Sequence, residues 1–192
     1  MATVELIDSV VLGSQTTYIT FDSIPATYQD LTVIGQVRNA TTASGLLYLT
    51  CRINNSSSTS TYAATNWYSY WSGGSHSTGY NQGATSDTFM KLGRMASGNS
   101  ATSWGTVGGV DVKAGVYSTF YNYADTGLYT SCMSFTYGLQ KATATLFQTA
   151  GGKSTTQYMN TSAISKIEFG FHFDSCDFTA GSNLYLYGIN GP

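Results

Sequence analysis

The sequence predicts an all-β chain: a single antiparallel β-sandwich, jelly-roll-like, of roughly eight to ten strands. Three observations predict it. Helical periodicity is nearly absent, alternation of apolar and polar residues recurs from end to end, and clusters of Gly, Ser, Thr and Asn break the chain at short intervals. No linker divides the 192 residues, so 1–192 reads as one domain. At that length a core can form without disulfides or metals.

The elements follow in order. TVELIDSVVL opens the chain, with Val4, Leu6, Val10 and Leu12 on one face and Asp8 as the exception. TYITF places Ile19 with Phe21, and LTVIGQVR aligns Leu31, Val33 and Val37. LLYLTCRI sets Leu47, Leu49, Cys51 and Ile53 on one face, which makes Cys51 a small core residue. Residues 54–83 are polar and aromatic with weak alternation, and read as a large surface loop holding a short hairpin. TFMKLGRM, GVDVKAG, YTSCMSFTYG and ATATLFQTA are the next strand-like runs. In AISKIEFGFHF, Ile167, Phe169, Phe171 and Phe173 oppose Lys166, Glu168, Gly170 and His172, the pattern of a half-buried antiparallel strand. NLYLYGI ends the chain, with Leu184 and Leu186 opposite Tyr185 and Tyr187. Its expected place is beside the first strands, closing the sandwich. The separating clusters are NATTASG, NNSSSTS, WSGGSHSTG, ASGNSATSWG and TAGGKSTTQ.

Composition narrows the partners. Charged residues are 9% of the chain, the net charge is −2, and the 8 Lys and Arg are scattered. No basic patch suits a phosphate backbone, so nucleic acid is not an expected partner. No apolar run reaches the roughly 18 residues of a membrane span, so insertion into a membrane is not expected. The start MATVEL lacks a basic region followed by an apolar block, which points to a protein made in a cytoplasm. Ser and Thr make up roughly a quarter of the chain, and together with 15 Tyr they supply the surface polarity that charge usually supplies. Such a surface suits uncharged partners: other proteins' strands, glycans, or copies of the same chain. The three cysteines, Cys51, Cys132 and Cys176, match no zinc or redox spacing.

The material for catalysis is thin. Only Glu5 and Glu168 represent glutamate, and Asp22, Asp30, Asp87, Asp111, Asp125, Asp174 and Asp177 are dispersed. GGKST at 151–155 resembles the end of a phosphate loop, but Phe147 stands where its first glycine belongs. His76, in a glycine-rich loop, and His172, on an outward strand face, read as solvated side chains and form no metal pair. Asp174, Cys176 and Asp177 in FDSCDF read as a turn rather than a calcium site. The expectation is a non-enzymatic protein with no catalytic residues, no metal and no cofactor. A polysaccharide-cleaving enzyme is the remote alternative.

NWYSYWSGG stands above this background. Trp67, Tyr68, Tyr70 and Trp71, with Tyr62 and Tyr80 nearby, set flat aromatic rings among small polar residues. Rings in that setting cover a core end, anchor a protein interface or stack on sugars. STFYNYAD, with Tyr121 and Tyr123, is a second, smaller case.

Residues at both ends also carry a resemblance. Ser9, Val10, Leu12, Gly13 and Ser14, then Ile19, Phe21, Ser23, Ile24, Pro25, Thr27, Tyr28, Asp30 and Leu31, resemble the opening of a β-sandwich module of tailed-phage virion structural proteins, tail-fibre-like or capsid-decoration-like, of marine or cyanobacterial phage type. LTCRINN (49–55), KLGRM (91–95), AISKIEF (163–169) and FTAGSNLYLYGI (178–189) resemble its later segments. The aromatic stretch from Tyr62 to Tyr80 departs from it. The resemblance implies an exterior virion protein, a capsid decoration or cement component or a tail appendage. Its implied partners are copies of itself, with a homotrimer as the first expectation, and the major capsid protein or tail proteins. The alternative is a receptor-binding tip that recognises a host surface glycan through the aromatic stretch.

Overall fold

A computed structural model describes residues 3–39, 46–58, 61–72, 75–96, 113–141, 147–172 and 176–191. Among the described residues twelve strands run in chain order: β1 Thr3–Val11, β2 Ile19–Phe21, β3 Asp30–Val37, β4 Leu46–Ile53, β5 Tyr62–Ser72, β6 Ser75–Asp87, β7 Met90–Ala96, β8 Ala114–Tyr121, β9 Thr130–Lys141, β10 Phe147–Tyr158, β11 Ile167–Phe171 and β12 Asn183–Asn190. Every pairing is antiparallel. The strands form an eight-stranded sheet, β1-β12-β3-β8-β9-β10-β5-β6, and a four-stranded sheet, β2-β11-β4-β7. The all-β sandwich is as predicted. An eight-plus-four division does not by itself make a jelly roll.

The core lies between the sheets and follows the alternation of each strand. Leu31, Val33, Val116, Phe120, Leu184 and Leu186 of the large sheet meet Ile19, Phe21, Leu49, Ile53, Met90, Ile167 and Phe169 of the small one, all buried. Phe21 and Phe169 pack edge to face, with centroids 6.1 Å apart. Serine and threonine hydroxyls serve the interior as well as the surface. Thr136 Oγ1 donates to the Arg94 carbonyl (2.7 Å) and Ser154 Oγ to the Lys91 carbonyl (2.6 Å), which clips β7 onto β9 and β10. Ser118 and Ser134 pair their hydroxyls across β8 and β9 at 2.7 Å. These bonds satisfy hydroxyls that would otherwise lie buried without partners.

The terminal strand lies where the sequence placed it, against the first strands, and more deeply than an edge. β12 pairs with β1 on one side and β3 on the other. A side chain at Gly35 of β3 would collide with the Asn183 carbonyl and the Leu184 side chain, so only glycine permits this approach.

Four expectations are corrected. Residues 62–87 are not a surface loop but a long β5–β6 hairpin that extends the large sheet. TAGGKSTTQ is not a turn cluster but the middle of β10, paired on both sides. His76 accordingly sits in a strand and not in a glycine-rich loop. These strands carry Thr, Tyr, Ser and Gly on both faces, so no apolar alternation marks them, although Thr and Tyr suit a pleated sheet. The fourth correction concerns the first strand. A bulge between Leu6 and Asp8 shifts its register, so Val4 and Leu6 face outward and exposed while Val10 packs on the core. GVDVKAG falls largely outside the described residues, and strand β8 starts at Ala114. The first half of ATATLFQTA and Phe173 also lie outside them.

Candidate functional site

The inner face of the large sheet is covered by the small sheet. Its outer face is not covered by any described residue, and the ladder registers assemble a row across it. Ser9, Tyr185, Ile34, Tyr117, Phe135, Lys153, Trp67 and Tyr80 are directly opposed, strand to strand, from one edge to the other. Directly opposed residues share a face and touch side by side. Four rings of this row stay exposed: Tyr117 (42%), Phe135 (39%), Trp67 (45%) and Tyr80 (66%). Tyr117 and Phe135 lie with centroids 6.5 Å apart, and the Lys153 ammonium stands 5.7 Å from the Phe135 ring centre. The next row places Tyr137 between Gly115 and Gly151. A side chain at Gly115 would strike the Tyr137 ring, so the glycine lets that ring lie flat on the sheet.

Where the row crosses β9, β10, β5 and β6 it borders a shallow open trough of about 630 Å³. Trp67, Tyr80, Phe135, Lys153, Ser69 and Thr78 present side chains to it. Ser69 Oγ lies 2.7 Å from His76 Nε2, which links β5 and β6 at its side. A second concavity of about 680 Å³ follows on the same face, bordered by Tyr121, Met133, Thr155 and Gln157.

The aromatic residues singled out in the sequence separate into different places. Trp67 and Tyr80 stand together on the outer face. Tyr68 points to the opposite side, where the Arg94 guanidinium stacks on its ring at 3.9 Å, and the ring covers Gly79. Tyr121 is half-buried beside the second concavity. Of the places open to these rings, Tyr62 and Tyr123 take the core and not an interface. The Tyr62 hydroxyl accepts from the Ile53 amide and donates to the Ser56 carbonyl, both at 3.0 Å, and its ring packs on Tyr158. The Tyr123 hydroxyl donates to the Pro25 carbonyl and accepts from the Tyr28 amide. Tyr62 opens β5 and Tyr123 lies in the turn after β8, where a large ring closes the sandwich and its hydroxyl satisfies loop backbone. Tyr70 and Trp71 belong to β5, and their side chains lie outside the described residues.

Sequence reasoning missed Phe135 and Lys153. Phe135 is the outward residue of YTSCMSFTYG, and Lys153 lies in GGKST, a segment whose spacing fits no phosphate loop. Outward position on a strand was the available signal for Phe135. Nothing local joined either residue to Trp67.

Several described polar groups elsewhere hold turns and loops. Asp22, Asp30 and Asp125 accept backbone amides of Ser23, Asn122 and Gly127. Asp177 accepts from Gln15, and Glu168 faces Arg52 at 3.8 Å. Asp111 and Asp174 lie outside the described residues, as does the Asp87 side chain. Asn54 bridges two loops: its Oδ1 accepts from Ser165 and Lys166, and its Nδ2 donates to Ala163. His172 packs its ring 4.8 Å from Phe89 and is half-buried, not fully solvated. Burial pushes the Cys132 thiol up to about 12. Burial, with Cys132 nearby, drives Cys51 well above the ordinary thiol range. Neither thiol is a nucleophile at neutral pH. Among the described residues no cluster of three His, Cys, Asp or Glu could hold a metal ion. Comparison of the chain with protein family models, curated proteins and solved structures finds no match.

Proposed function

We propose that the chain is a non-enzymatic exterior structural protein of a phage virion, a capsid decoration or cement component or a tail appendage, that acts by self-association and by docking on the particle. The resemblance of its opening and closing strands to virion modules supports the location. Strand β6 carries the self-association. The two sheets have four edges, and three are blunted against pairing. β1 has its bulge together with Glu5 and Asp8. β2 is only 3 residues long. β7 carries Lys91 and Arg94 and an irregular register opposite β4. β6 runs for 13 residues with no Pro, Lys or Arg and with its acidic residue, Asp87, at the far end. Among the described residues nothing pairs with its outer side. Such an edge is a template for a further strand, and another copy of the same chain supplies one.

Two β6 edges meeting antiparallel give a twofold assembly, whereas the trimer implied by the resemblance requires β6 to meet a different surface. Light scattering on the purified protein separates the two. The location is tested on purified particles by quantitative mass spectrometry against the major shell protein. A ratio near one, or a simple fraction such as one third, is the result for a decoration or cement protein. A few to a few tens of copies places it on the tail. Absence from the particles overturns the proposal.

A further inference from the structure

The trough on the outer face of the large sheet has a chemistry of its own, apart from the β6 edge. The backbone groups beneath it are already paired in the ladders between β9, β10, β5 and β6. A ligand there is therefore recognised through side chains, not by strand addition. Those side chains are of three kinds: aromatic rings (Trp67, Tyr80, Phe135), hydroxyls (Ser69, Thr78) and one ammonium (Lys153). Among the described residues no aliphatic side chain and no carboxylate lines the trough. Among the described residues an apolar protein surface would find no aliphatic complement, and the one charged group, Lys153, suits an anion. Neighbouring strands lie about 4.8 Å apart, so the rings from Phe135 on β9 to Tyr80 on β6 span roughly 14 Å, the reach of a short chain of sugar rings. Sugar rings offer C–H faces to aromatic rings and hydroxyls to Ser and Thr.

We propose that this trough binds an anionic saccharide, its rings lying on Trp67, Tyr80 and Phe135 and its carboxylate or sulfate meeting Lys153. The charge complementarity selects the class: a cation in an otherwise uncharged aromatic trough favours an acidic sugar over a neutral one. Single-stranded nucleic acid also stacks on aromatic rings, but it needs a basic groove along its phosphates, and one lysine in a chain of net charge −2 does not make one. The site differs from the aromatic stretch of the sequence. Tyr68 borders it but turns its ring the other way, under Arg94, and the site recruits Phe135 and Lys153 from strands far along the chain.

The test is an array of uronate-, sialate- and sulfate-bearing oligosaccharides beside their neutral counterparts, probed with the full chain. Calorimetric titration of the best binder follows. Acidic glycans are expected to bind above their neutral counterparts. Lys153→Gln should weaken the acidic glycan about tenfold and leave a neutral counterpart unchanged. Trp67→Ala should weaken both about tenfold or more. Tyr80→Ser, on the edge strand, repeats the test if Trp67→Ala lowers the melting temperature. The proposal fails if no acidic glycan is retained above its neutral counterpart, if Lys153→Gln leaves acidic binding intact, or if oligothymidylate binds more tightly than every glycan. None of these outcomes alters the copy number on particles, so the two proposals fail separately.

Discussion

At the scale of single residues, the hydroxyl of a buried tyrosine distinguishes a core ring from an interface ring. Tyr62 is 1% exposed and its hydroxyl is the partner of the Ile53 amide. Tyr62→Phe leaves that amide buried without an acceptor, which costs about 1–3 kcal/mol. Urea denaturation should show that loss, with no change in self-association. A smaller loss in stability together with a change in assembly would return Tyr62 to the surface. Titration carries a second prediction. The Cys132 thiol is held up at about 12 against an ordinary 9.0, and burial also raises the Tyr62 hydroxyl above 10.0. Both are acids whose folded-state values are raised, so the unfolded chain loses their protons first as pH rises. Their contribution is whole below pH 9 and is lost progressively above it, from Cys132 up to about pH 12 and from Tyr62 beyond pH 10. The melting temperature should therefore fall as pH rises above 9. A Cys132→Ala variant should fall less steeply over the same range.

At the scale of elements, the least legible strands were those with no apolar face. β5, β6 and β10 are built of Thr, Ser, Gly and Tyr, and loop signals and strand signals coincide in them. What makes them strands is pairing with neighbours, on both sides for β5 and β10 and on one side for β6, a partnership no local window contains. Where one face is apolar, as in β11 and β12, the pattern was enough: Ile167, Phe169, Leu184 and Leu186 are buried, as read. β1 shows a limit of the same rule, since one bulge residue exchanges the faces of everything before it. The open edge of β6 yields the prediction for this scale. Ser77 faces the inner side of that edge, opposite Tyr70. Ser77→Lys places an inward charge on the edge, one of the devices that keep natural edges unpaired. Light scattering should show the assembled form reduced to monomers while the melting temperature changes little. Assembly that survives the lysine would remove β6 from the interface.

At the scale of the whole molecule, the chain's two ends close on each other. β12 stands between β1 and β3, so Leu184 and Leu186 fill the core and the ladder runs through them. Burying each of these leucines contributes about 2 kcal/mol, before the lost pairing of two neighbouring strands. Against a total stability of about 5–15 kcal/mol, removal of residues 183–192 should abolish cooperative unfolding. Calorimetry checks this, and a truncated chain that still melts sharply would show that β1 and β3 close the sheet without β12.

The sequence alone determined the class and much of the core. Alternation is a property of adjacent residues, and it survives any arrangement of the strands in space. The tertiary structure decided which outward side chains become neighbours. Trp67, Tyr80, Phe135 and Lys153 each point outward from their own strand, but they form one trough only because β9, β10, β5 and β6 pair in one register. That register joins residues far apart in the chain and depends on every strand between them, so no local pattern records it.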